Sequence, residues 1–389
     1  MKRSASILRI LFGLLIFAAA GELCARIDDF IAYGAPLWGS YNTDRLYERD
    51  QIGQRGRPGA RYKKWQLNSM GYRGPELRSG TIRIVCFGSS ETFGLYEAND
   101  EEFPRQLERD LNARSGKEVF QVVNVAYPGE TVATSILRVP EIVESIHPRF
   151  AFIYASPANY IWLPWIRPSM SGGSPEKRYD MFDLRVADRT RTALKSILPE
   201  HVQTWLRQRD VDSVAADYNV MDRVPDENVS RYRSDLATLV NSLRSRGVEP
   251  ILVTHASPFG EHPAKPDYQL LTSWRKFYPM LANEGFIDME QRMNDAMRSL
   301  AASEHIQLVD AAREIPPSRD NFADFCHFTT LGAGLMASRL ADEFTARNDV
   351  RVPAKVGGPA NSREAGITAA WHPMCQTVFR VTRRRSSSL

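Results

Sequence analysis

Two adjacent serines, Ser89 and Ser90, stand between Gly88 and Gly94 in the stretch FGSSETFG, directly after the apolar run TIRIVC. Far along the chain, DFCHFTTLG places Asp324 three residues before His327. Gly129 follows Pro128 in YPGET, and Asn159 stands in SPANY. Together these residue types are what acyl transfer requires. A serine hydroxyl is a weak nucleophile until a base removes its proton. Histidine titrates near neutrality and can be that base. An aspartate can accept the other ring N–H, which fixes the tautomer and stabilises the imidazolium. The tetrahedral intermediate carries an oxyanion, which the nucleophile's own N–H, the Gly129 N–H and the Asn159 amide can receive. One such donor contributes ~3–4 kcal/mol. Each feature alone has a plainer account. Glycine and serine dominate turns, an aspartate before a helix can cap it, and an asparagine can bond its own backbone.

The elements that must position these residues alternate. Strand-length apolar runs occupy 81–88, 119–126, 149–156, 248–256 and 305–311. Helical spacing occupies 101–116, 229–247, 289–304 and 330–348, and also 132–146, where Pro140 is expected to interrupt the helix. Apolar strands alternating with helices imply a mainly parallel five-stranded sheet covered on both faces, an α/β/α three-layer sandwich of flavodoxin-like type. In such a sheet ligands bind beyond the carboxyl ends of the strands. Ser89 and Ser90, Gly129 and Asn159 each follow a strand, and Asp324 and His327 lie one loop after the fifth. His255, at the end of the fourth, is expected to be a satisfied edge histidine, and Arg73 a surface residue.

These motifs in this order resemble the SGNH hydrolase superfamily, also called GDSL esterases and lipases. Its first block is Gly-Asp-Ser, a hydrophobic residue, Thr and Gly; Gly88, Ser89, Ser90, Thr92 and Gly94 align with it. The resemblance makes Ser90 the nucleophile, Asp324 and His327 its partners, and Ser90, Gly129 and Asn159 the oxyanion hole. It covers roughly residues 65–345. The segments LNSMGYRGPEL and GELCAR are similar to the lead-in and helix end of exported, membrane-anchored members. Three positions depart from the pattern: Ser89 replaces the family aspartate, Pro157 a glycine and Tyr160 an aspartate. The implied activity is hydrolysis of a carbohydrate or lipid acyl ester through an acyl-Ser90 intermediate. O-acyl transfer to a cell-envelope polysaccharide shares that intermediate. A catalytically silent, carbohydrate-binding or assembly member is the alternative that Pro157 and Tyr160 favour.

The remaining chain divides accordingly. Basic residues precede an apolar run, so residues 1–27 read as a signal anchor or a cleaved signal peptide, with the rest exported. Residues 28–80 read as an irregular lead-in, and 81–347 as the hydrolase-like domain with an insertion at about 157–228. Residues 348–389, rich in Gly, Pro, Ser and Arg, read as a disordered basic tail. The net charge of +4 over 389 residues leaves no basic face for nucleic acid. The four cysteines show no CxxC pairing, and neither a metal nor an organic cofactor is implied. The expected partners are a small-molecule or glycan ester and, through the N-terminal helix, a membrane. The expected location is the inner membrane, with the catalytic domain in the periplasm or outside the cell.

Overall fold

The computed structural model describes residues 2–39, 41–161, 184–215, 218–260, 263 and 267–347. The expected tail and residues 162–183 of the insertion lie outside them. The N-terminal apolar run forms helix α1 (Lys2–Tyr33), which continues past Ile27. Its segment Ser6–Tyr33 is long and apolar enough to cross a membrane. The lead-in that follows is less irregular than its composition implies. Strand β1 (Tyr47–Arg49) pairs with β2 (Gln54–Gly56), and β3 (Arg61–Tyr62) with β4 (Trp65–Gln66).

Continuous apolar runs become buried parallel strands, because a strand covered on both faces cannot alternate polar and apolar residues. The strands are β5 (Ile82–Gly88), β6 (Phe120–Asn124), β7 (Phe150–Tyr154), β8 (Glu249–Val253) and β9 (Gln307–Val309). They form one sheet in the order β6-β5-β7-β8-β9, every neighbouring pair parallel. The helices are α2 (Ser90–Phe93), α3 (Phe103–Ser115), α4 (Val132–Ile146), α5 (Arg185–Ile197), α6 (Glu200–Ala215), α7 (Asp226–Arg244), α8 (Tyr268–Arg275), α9 (Asn283–Ser303), α10 (Ala311–Glu314) and α11 (Thr330–Arg347). Helices α3 and α11 cover one face; Phe344 of α11 meets Phe120, Phe150 and Phe152 edge-on or tilted. Helices α4, α7 and α9 cover the other.

Two expectations need correction. Helix α4 is continuous through Pro140. An internal proline costs ~3 kcal/mol, but α4 buries Val132, Val139, Ile142 and Ile146, and each such side chain returns roughly 1.5–3 kcal/mol. Burial therefore outweighs the lost bond. Arg73 is not on the surface. Its side chain is 1% exposed and pairs at 3.0 Å with Glu102, which is itself fully buried. Its guanidinium also donates to the carbonyls of Phe93, Gly94 and Ala98. It thus braces the chain just after α2. Removing one partner of a buried pair strands the other charge, which costs about 3–5 kcal/mol. Arg73→Met should lower the stability measured by urea unfolding by that amount; a loss under about 1 kcal/mol would contradict the bracing role.

The far end of α1 is tied to α5 by polar contacts. Glu22 accepts from the Val186 N–H at 3.0 Å and pairs with Arg26 at 2.6 Å. Arg189 pairs with Asp29 at 2.7 Å and Asp28 at 2.8 Å. The insertion therefore holds the end of the apolar helix.

Candidate functional site

The sheet order, numbered from β5, is 2-1-3-4-5. The direction of strand addition reverses between β5 and β7, which is where open α/β sheets bind ligands. Ser90 sits at that point. The chain leaves β5 and enters α2 without a loop, which explains the bracketing glycines. A Cβ on Gly88 would lie 1.9 Å from Thr92 Oγ1 and 2.9 Å from the Tyr154 carbonyl oxygen. Gly94 closes α2 at φ 85°, a left-handed conformation that suits glycine. Ser90 is thereby fixed as the first residue of α2.

A second loop carries Asp324 and His327. Its ends, Phe322 and Phe328, pair as an isolated antiparallel bridge and are both buried in the core. The Ala323 N–H donates to the His327 carbonyl at 2.8 Å. Asp324 Oδ1 accepts the backbone N–H groups of Cys326 (3.0 Å) and His327 (2.9 Å). That local side-chain turn brings the carboxylate under the imidazole, where His327 Nδ1 lies 2.9 Å from both carboxylate oxygens.

Ser90, Gly129, Asn159, Asp324 and His327 all line one cavity of about 1110 Å³. The five residues expected to form the site therefore share one cavity. Among the described residues, the Ser90 hydroxyl donates to Glu91 Oε2 at 3.2 Å and not to His327. The Gly129 N–H donates to Ser89 Oγ at 3.2 Å. Pro157 and Tyr160 belong to a 3₁₀ turn that also carries Asn159. Tyr160 donates to Asp235 at 2.9 Å and so anchors this turn to α7. One hydrogen of the Asn159 amide goes to the Glu130 carbonyl at 2.8 Å, leaving its second for the cavity.

A buried charged network lies beside the serine. His255 Nδ1 contacts Glu290 Oε2 at 2.9 Å, and its Nε2 lies 3.5 Å from Glu91 Oε1. Glu91 also accepts from Ser156 Oγ at 2.8 Å. Burial opposes the charge on His255, but the two carboxylates win and raise its pKa to about 10. Burial would likewise raise Glu91, but His255 and neighbouring donors hold it at about 2. The expectation of a satisfied histidine holds at Nδ1 only: among the described residues the buried Nε2 makes no hydrogen bond. The sequence reading missed Glu91. Its signal was a carboxylate where the resemblance calls for a hydrophobic residue.

His327 is buried, which disfavours its charged form, yet the Asp324 hydrogen bond and the charges of Glu91, Asp324 and Glu97 together raise its pKa. Burial pushes Asp324 up, but His327 and two backbone N–H groups bring it below its ordinary value. Asp324, Cys326 and His327 have donor atoms within 4.8 Å of one another, the one such group among the described residues. Burial pushes the Cys326 thiol well up. Asp324 and His327 are bonded to each other.

No family model and no curated protein matches the chain. Several solved structures do match. A lipase/acylhydrolase from Enterococcus faecalis is 17% identical, with 68% of this chain and 96% of that one covered and a TM-score of 0.39. A member of the lipolytic protein G-D-S-L family from Veillonella parvula is 14% identical over 68% and 98%, with a TM-score of 0.39. A psychrotrophic esterase from Pseudoalteromonas is 11% identical over 69% and 99%, with a TM-score of 0.40.

Proposed function

We propose that this chain is a serine esterase of the SGNH type. The observation that carries the reading is the convergence of Ser90, His327 and Asp324 on one cavity at the reversal point of the sheet. With Nδ1–H held by Asp324, the neutral imidazole presents Nε2 as a base. The mechanism requires the Ser90 side chain to turn from Glu91 towards that nitrogen; such contacts commonly tighten only with substrate bound. Ser90 Oγ then bonds to the ester carbonyl carbon, and its proton passes to His327. The Ser90 N–H, the Gly129 N–H and the Asn159 amide receive the oxyanion. Cleavage of the bond to the alcohol oxygen sends the proton from His327 to that alcohol. Water attacks the acyl-serine with His327 again as base and releases the acid. No cofactor enters these steps.

A cavity of about 1110 Å³ is slightly larger than usual small-molecule sites and has room for a second alcohol. That favours O-acyl transfer as the second reading, with a sugar hydroxyl replacing water. Comparing p-nitrophenol release from p-nitrophenyl acetate with acetyl transfer to a polysaccharide, followed by mass spectrometry, separates the two. Slow release that an added glycan accelerates, with acetylated glycan formed, favours transfer. Fast release that glycan leaves unchanged favours hydrolysis. No turnover of either kind would contradict both.

Helix α1 supports a membrane-anchored enzyme whose catalytic domain lies outside the cytoplasm. A mature N-terminus at Gly21 would overturn the anchor and leave a cleaved leader.

A further inference from the structure

Part of the cavity wall is basic. Arg207 of α6 and Lys276, just after α8, both line it. Arg207 donates to Ser273 Oγ at 3.0 Å and Gln203 Oε1 at 3.1 Å, both neutral acceptors. Neither Arg207 nor Lys276 has a carboxylate partner among the described residues. A third cation in the cavity, Arg319, is paired with Asp267 at 2.7 Å. The two carboxylates that line the cavity, Glu91 and Asp324, are engaged by His255 and His327. Among the described residues, Arg207 and Lys276 are therefore not neutralised from within the site.

These cations stand on the histidine side of the cavity. Trp274 of α8 stacks on Phe325 at 5.4 Å, Phe277 lies 5.6 Å from the same ring, and Phe325 lies 6.2 Å from the His327 ring. The segment bearing Ser273 and Lys276 is thus packed against the loop that carries the base. In acyl transfer the leaving oxygen must face the imidazole that protonates it. The alcohol portion of the ester therefore extends towards Arg207 and Lys276, and the acyl carbonyl towards Gly129 and Asn159.

We infer that the alcohol portion of the substrate carries an anionic group, a carboxylate or a phosphate, which Arg207 and Lys276 receive. A uronate-bearing glycan and a phosphorylated alcohol share this chemistry. The inference rests on the esterase reading of the same cavity.

The test compares kcat/KM of the full chain in detergent for three acetyl esters: para-acetoxybenzoate, para-acetoxyphenyl phosphate and neutral para-acetoxybenzamide. The anionic esters should be preferred by about tenfold or more, the usual worth of a hydrogen bond to a charged group. That preference should shrink as salt is raised. It should fall in Lys276→Gln and in Arg207→Gln, and Arg207→Lys should retain more of it. The salt series on the wild-type chain needs no variant and so does not depend on how the variants fold. Preference for the carboxylate ester points to a uronate-like alcohol; preference for the phosphate ester points to a phosphorylated one. Equal kcat/KM for all three esters, independent of salt, would overturn the inference while leaving the esterase reading intact. Failure to cleave even the neutral ester would instead count against the esterase reading.

Discussion

Ser90→Ala is expected to lower kcat for p-nitrophenyl acetate by about a million-fold, the scale seen when the nucleophile of a serine triad is removed. The loss should be one of chemistry and not of folding. Among the described residues the Ser90 hydroxyl makes one hydrogen bond, to Glu91, and such a bond contributes only about 0.5–1.5 kcal/mol. Glu91 keeps Ser156 and His255 as partners. The melting temperature should therefore stay within several degrees of wild type. Ser89→Ala is the instructive contrast. Ser89 Oγ accepts the Gly129 N–H, so its removal frees a donor that we propose for the oxyanion and should cost far less activity. Equal activity in Ser90→Ala and wild type, measured by p-nitrophenol release, would make the bracketed serines a turn and nothing more.

The second large effect concerns Asp324 and pH. Asp324→Asn preserves an Oδ1 acceptor for the Cys326 and His327 N–H groups, so the loop should keep its shape. It removes the carboxylate that holds the imidazole tautomer, a change worth about ten-thousand-fold in kcat in triad enzymes. The pH profile separates this from a purely structural role. The base must be neutral, so the rate rises with pH through the His327 pKa. That pKa is raised above 6.5 in the folded chain: burial lowers it, but the Asp324 hydrogen bond and nearby carboxylates outweigh burial. The acidic limb of kcat/KM should accordingly lie above pH 6.5 in wild type and move to lower pH in Asp324→Asn. A variant with reduced activity but an unmoved limb would contradict the pairing of Asp324 with the base.

The helices were legible from their amphipathic period and the strands as continuous apolar runs; Ser90, Gly129 and Asn159 were legible because they follow strands. What the sequence concealed was burial of charge. Arg73 looks like any arginine between two glycines until Glu102 arrives from the start of α3. Glu91, His255 and Glu290 come from α2, the end of β8 and α9, and none marks the others by spacing. Pro140 misled in the opposite direction: local chemistry argued for a break, and the packed face of α4 overruled it. The loop holding Asp324 and His327 was readable as a short motif, but its closure by Phe322 and Phe328 was not, since two buried aromatics look like core.

The most direct test is labelling of the intact chain with a fluorophosphonate, followed by peptide mapping of the adduct. The account predicts a single adduct on Ser90 that is lost in His327→Ala, because only a serine deprotonated by that imidazole attacks phosphorus. Absence of labelling at Ser90 in the wild-type chain, or unchanged labelling without His327, would contradict it.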